Sequence, residues 1–96
     1  MPEPYACSPI FDELTLPDAL RADHRTKPGS WGLLRVLEGE VRLFFIDPPS
    51  EHLVTPANPL IIPPQATHHV VPSGPMRMQV EFYRERPALG GGAPNG

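Results

Sequence analysis

SWGLLRVLEGEVRLFFID, residues 30–47, is two apolar runs rich in Leu, Val and Phe, broken once by Glu-Gly-Glu. Each run is too short for a stable helix and long enough for a strand. Gly39 can take the positive φ that a tight reversal needs. The stretch therefore predicts two strands, Trp31 to Leu37 and Val41 to Ile46, folded as a hairpin.

The rest of the chain repeats this grammar. EHLVT, PLIIP, HHVV and MRMQVEFYR follow as short apolar segments, each bounded by Pro, Asn, Ser or Gly. A weaker strand is expected within Leu16 to Thr26. The 15 prolines and 8 glycines among 96 residues leave no room for several helices. An all-β domain with the strand spacing of a sandwich or barrel is the expectation. In the last segment Met76, Met78, Val80 and Phe82 alternate with Arg77, Gln79, Glu81 and Tyr83, which puts the two sets on opposite faces of a sheet.

Ninety-six residues, 40% of them hydrophobic, suffice for one core. The expected boundaries are an N-terminal tail over 1–10, a β-barrel domain over 11–86 and a disordered tail over 87–96, where ALGGGAPNG has little to bury. A net charge of −3 with scattered basic residues argues against nucleic acid as a partner. The acidic, proline-containing start is unlike a secretory leader, and no apolar run reaches the roughly 18 residues of a membrane span, so a cytoplasmic protein with no membrane partner is expected. Cys7 has no second cysteine to pair with. A homodimer is expected, because so small a core is marginal alone.

HRTKPGSWGLLRVLEGEV (24–41), PPQATHHV (63–70) and VEFYRE (80–85) together resemble the small cupin-like domain of the TehB/YeaR type, associated by name with tellurite resistance. The first matches the family pattern H-x-T-K-x-G-x-W-G-K-L-x-V-x-x-G, with Leu34 near the lysine slot. The second matches P-x-x-W-H-x-V, with Thr67 in place of tryptophan. The resemblance covers about residues 16–85 and implies a double-stranded antiparallel β-barrel of jelly-roll type with an open mouth. Some members carry the module in front of a methyltransferase domain. No residues follow the barrel to build one here, and no glycine-rich nucleotide loop follows a strand, so methyl transfer by this chain alone and a nucleotide cofactor are not expected.

The resemblance also implies a site. His24 takes the first histidine slot of a metal cupin and His68 the second-motif slot, while Thr26 stands where a second histidine belongs and Trp31-Gly32 where a glutamate belongs. A divalent metal (Zn, Fe or Ni) would then rest on His24, His68 and Glu81, a set that leaves positions open for water or substrate. Adjacent strand residues point to opposite faces, so His68 and His69 cannot both reach the interior. Val70 and Val71 are equally apolar and leave that choice open; the family match selects His68.

Trp31, Arg35, Gln79 and Tyr83 are the candidate ligand-binding residues, with Lys27 and Arg35 suited to an oxyanion or other small anion; Arg77 shares a face with Glu81, and an ion pair between them rivals any role in ligand capture. His52, beside Glu51 in a polar stretch, is read as solvated. The function expected from this set is a small cupin holding a divalent metal or a small anionic ligand in its mouth, in stress or tellurite resistance. The alternatives are a metal-free small-ligand binding or sensing module, and a plain dimerisation unit that buries the sheet face of Leu43 and Phe45 against a twin. Whether it is an enzyme is left open.

Overall fold

The computed structural model describes residues 3–88. Nine strands and one short helix occur among them: β1 (Ala6–Cys7), β2 (Phe11–Asp12), α1 (Asp18–Arg21), β3 (His24–Arg25), β4 (Trp31–Glu38), β5 (Val41–Ile46), β6 (Pro49–Val54), β7 (Leu60–Ile62), β8 (Thr67–Pro72) and β9 (Arg77–Tyr83). All pairings are antiparallel and fall into two sheets. One runs β1-β9-β4-β7, with β2 also on β9; the other runs β3-β8-β5-β6. The expectation of an antiparallel all-β domain holds.

β4 and β5 do not pair with each other. β4 lies between β9 and β7 in the first sheet, and β5 lies between β6 and β8 in the second. The expected hairpin is instead a corner at which the chain changes layers. Gly39 does take φ +73°, as the turn requires, and a Cβ there would sit 2.4 Å from the Pro75 carbonyl oxygen and 3.1 Å from Met76 Cα. The corner is therefore pressed against the loop entering β9, and only glycine fits. The tight hairpin comes one step later, between β5 and β6, where Ile46 opposes Pro49 and only Asp47 and Pro48 remain in the turn.

Alternation along the strands fills the space between the sheets. Leu34, Val36, Ile62 and Met78 from the first sheet meet Val41, Leu43, Val54 and Val70 from the second, each at most 4% exposed. Dry packing of this kind stabilises each large side chain by about 2 kcal/mol over leaving it in water. Leu43 is fully buried in that shared core and Phe45 packs against it, which removes the face proposed for dimerisation through them.

The N-terminal segment departs from the tail expected over 1–10. Ala6 and Cys7 pair with Phe82 and Glu81, the Tyr5 amide donates to the Phe82 carbonyl at 2.8 Å, and Tyr5 Oη and Ser30 Oγ share a 2.6 Å hydrogen bond. The weak strand expected in Leu16–Thr26 resolves into α1 and the two-residue β3, because Pro17 starts a turn of helix whose Ala22 amide already caps back to the Asp18 carbonyl. The glycine-rich stretch 89–96 lies outside the described residues.

Gly39→Ala should destabilise the fold by more than about 2 kcal/mol, since it adds a main-chain clash to the positive-φ penalty. Gly29→Ala, at φ +74° with open space around it, should lose only about 1 kcal/mol. Urea denaturation of the two variants side by side measures the difference, and equal losses would remove the steric role of the corner.

Candidate functional site

β3 is two residues long, but its register is decisive. His24 faces His68 directly across the β3–β8 pair, and the ring centroids are 4.1 Å apart. Phe45 continues the row on β5, with its ring centroid 6.1 Å from that of His68. Both histidines line a cavity of about 420 Å³ between the sheets. Its walls are apolar, built by Leu34, Ile62, Val70, Met78, Val80 and Phe82, and α1 adds Leu20.

Backbone carbonyls fix the imidazoles. His68 Nδ1 donates to the Ala66 carbonyl at 2.7 Å, and His24 Nδ1 donates to the Ala22 carbonyl at 3.2 Å. A carbonyl can only accept, so the proton of each neutral ring sits on Nδ1 and Nε2 is left as an acceptor. His68 is 5% exposed. Its burial holds the pKa below the ordinary 6.5, an effect that its bond to Ala66 partly offsets and the nearby His24 and His69 reinforce.

Thr26, two residues beyond His24, also contributes to the cavity wall. It is 9% exposed, and its Oγ1 is buried without a hydrogen-bonding partner among the described residues. Arg25 and Lys27 alternate with it and are exposed at the rim. The family match puts Thr26 where a second histidine belongs, two residues from His24 and so on the same side of an extended segment.

The remaining candidate residues stand elsewhere. Glu81 is on the other side of β9 from Met78, Val80 and Phe82, where its carboxylate pairs with Arg35 at 3.0 Å and accepts from Tyr83 Oη at 2.6 Å. Arg35 and Trp31 alternate on β4 with the cavity residues Gly32 and Leu34, so they too belong to this outer face, where the Arg86 guanidinium lies 5.6 Å from the Trp31 ring centroid. Gln79 Nε2 donates to the Ser8 carbonyl. Arg77 pairs with Glu38 at 3.0 Å rather than with Glu81. His24 and His68 are thus brought together, and Glu81, Trp31, Arg35, Gln79 and Tyr83 are grouped on the opposite surface of the first sheet. Among the described residues no cluster of three or more His, Cys, Asp or Glu side chains could hold a metal ion. His69 faces away from the cavity residues, bonded through Nδ1 to Asp23 at 2.7 Å and stacked on Phe44. His52 is half-buried, hydrogen-bonded to Ser50 and edge-on to Phe45.

Two measurements check this geometry. The unfolded chain binds a proton to His68 near pH 6.5 and the folded chain binds it only at lower pH, so its contribution to stability is complete above 6.5 and declines as pH falls from there to the folded-state pKa. A proton NMR titration should place the His68 midpoint below 6.5, and a midpoint at or above that value would contradict its burial. Thr26→Val should leave stability unchanged or raise it by about 1 kcal/mol, because it removes an unpaired buried hydroxyl; a loss of more than about 1 kcal/mol in urea denaturation would show that Oγ1 is bonded.

Comparison with known proteins connects this fold to a family. The family model described as the TehB-like domain matches residues 7–80. The chain is 34% identical over 71 residues to a protein of Haemophilus influenzae strain 10810 named as a probable S-adenosyl-L-methionine-dependent methyltransferase, TehB, an overlap of 69% of this chain and 25% of that protein. The crystal structure of TehB from Haemophilus influenzae superposes with a TM-score of 0.75 at 29% identity, over 83% of this chain and 30% of that one. A protein from E. coli strain K12 superposes with a TM-score of 0.78 at 19% identity, over 88% and 91% of the two chains, a likeness of fold alone. The chain spans about a quarter of the length of the curated relatives it matches. These relatives overturn the metal- or anion-binding cupin expected from the sequence, with its binding-module and dimerisation variants: their names point to methyl transfer. They overturn the expected cofactor as well, since the relatives' names give S-adenosyl-L-methionine rather than a divalent metal. From the family match over 7–80 and the 34% identity, the chain belongs to the TehB-like domain family.

Proposed function

We propose that this chain serves S-adenosyl-L-methionine-dependent methyl transfer of the TehB kind, as the β module that accompanies the cofactor-binding part rather than as that part itself. The 34% identity with a probable methyltransferase over 71 residues carries this reading. The working molecule is cytoplasmic, with its two sheets forming a partly closed barrel of jelly-roll type. No helix among the described residues is long and apolar enough to cross a membrane.

The donor set of the cavity supports assigning the cofactor elsewhere. S-adenosyl-L-methionine brings a sulfonium, an ammonium and a ribose diol, which call for carboxylates or exposed carbonyls. No Asp or Glu lines the cavity, and the charged groups at its rim, Arg25 and Lys27, are cations that repel a sulfonium. The residues do not fit the cofactor. They fit a module that positions or receives something other than the methyl donor.

A chimaera tests the reading. Replacing the matching stretch of Haemophilus influenzae TehB by this chain should keep formation of S-adenosylhomocysteine within about tenfold of the parent, whereas deleting the stretch should lower it further. A chimaera no more active than the deletion would defeat the proposal. Saturable binding of tritiated S-adenosyl-L-methionine to the isolated chain in equilibrium dialysis would defeat it too.

A further inference from the structure

We propose that the outer face of the second sheet, centred on Phe44, Ile46, Leu53 and Val71, is the surface by which this chain docks on the cofactor-binding part of a methyltransferase of the TehB kind. The inference rests on the reading of the chain as the accompanying module of methyl transfer. It adds the face at which the two parts meet.

Strand register builds the patch. Val41 and Leu43 of β5 and Val70 of β8 enter the core, so Arg42, Phe44 and Ile46 of β5 and His69 and Val71 of β8 point the other way. On β6, Val54 is buried opposite Val41, which turns Leu53, Glu51 and Pro49 outward. The rungs of this face are Val71–Arg42–Leu53, His69–Phe44–Glu51 and Ile46–Pro49. Ile46, Leu53 and Val71 are each about two-fifths exposed, and Phe44, Ile46, Pro49 and His69 line a shallow hollow. Single exposed apolar residues are ordinary, but apolar side chains gathered on three neighbouring strands mark a contact surface.

The charges around the patch are already paired. Arg42 binds Glu51 at 2.7 Å, and His69 bonds Asp23 at 2.7 Å. An apolar centre with an aromatic ring and a self-satisfied polar rim is the anatomy of a contact with another folded protein surface. It calls for neither a phosphate backbone nor an anionic membrane.

The first sheet offers no comparable face. Leu33, which points away from the cavity between Gly32 and Leu34, is fully buried, and so is most of Tyr83. The stretch after β9 turns back toward that side, with the Arg86 guanidinium over the Trp31 ring and Pro87 buried. Ile10, Leu14 and Leu37, exposed elsewhere, lie on separate segments. Size then selects the partner. The chain spans about a quarter of the curated relatives it matches, so in them the corresponding stretch is tethered to the rest of the protein. Tethering raises local concentration, and a modest apolar face is enough to hold tethered parts together.

Hydroxyl-radical footprinting of the isolated chain and of the Haemophilus influenzae TehB chimaera tests the assignment. Oxidation of Phe44, Ile46, Leu53 and Val71 should fall at least about threefold in the chimaera, while Ile10, Leu14 and Leu37 oxidise alike in both. Leu33 and Leu34, fully buried, should stay unoxidised in both forms and report an intact module. Ile46→Lys combined with Val71→Lys puts two ammonium groups on the face without entering the core, and in the chimaera it should return Phe44 and Leu53 to the oxidation of the isolated chain. Unchanged oxidation across the face with the module intact, or protection at Ile10, Leu14 and Leu37 instead, would overturn the proposal. Protection already present in the isolated chain, at a sedimentation mass of two copies, would overturn it as well, because a second copy would then cover the face. The footprint is read without turnover. An inactive chimaera that protects the face therefore counts against the functional reading alone, and an active one that leaves it open counts against this face alone.

Discussion

The corner at Gly39 is the constraint on which the molecule depends. Two apolar strands adjacent in sequence are sent to different sheets, and the backbone of Pro75 and Met76 fills the space a side chain would need. Because β4 and β5 part company there, β4 is free to accept β9 on one edge and β7 on the other, and β5 to accept β6 and β8. A simple hairpin would have used up one edge of each strand and closed off the space between the layers. The cavity exists because its walls come from strands that do not pair with their chain neighbours.

That interior is mostly apolar, and burial governs the behaviour of the few polar groups within it. His68 is kept neutral by burial and held in one tautomer by a single carbonyl. Thr26 is sealed in without a partner. On the outer face of the first sheet the arrangement is the reverse: Arg35, Glu81 and Tyr83 satisfy one another, with Arg35 42% exposed to solvent. Partly exposed ion pairs of this kind contribute little to stability.

Much of this was legible from particular residues. Proline and glycine punctuation located β4 to β9, and the period-two alternation of Met76 to Tyr83 separated the two faces of β9 correctly. The pairing of His24 with His68 followed the motif match. What failed was the assumption that polar residues of β9 face the mouth: the apolar set lines the cavity, and Glu81 stands outside it. Alternation divides a strand into two faces without saying which one is inside. Nor does it name the partner strand, which is why residues 30–47 read as a hairpin when their pairings are with β6 to β9. β1 was missed because two residues carry no periodicity; its place comes from main-chain bonds to Phe82 and Val80.

Among the described residues β9 is the only strand to which β1 and β2 are joined, and it runs along β4 from Trp31 to Glu38. During synthesis the ribosome delivers that strand after the other described strands, so the first layer stays unfinished until Tyr83 has left the exit tunnel. The apolar side of β4 waits meanwhile without its main neighbour, and the chain's exposure to chaperones and to self-association is concentrated in that interval.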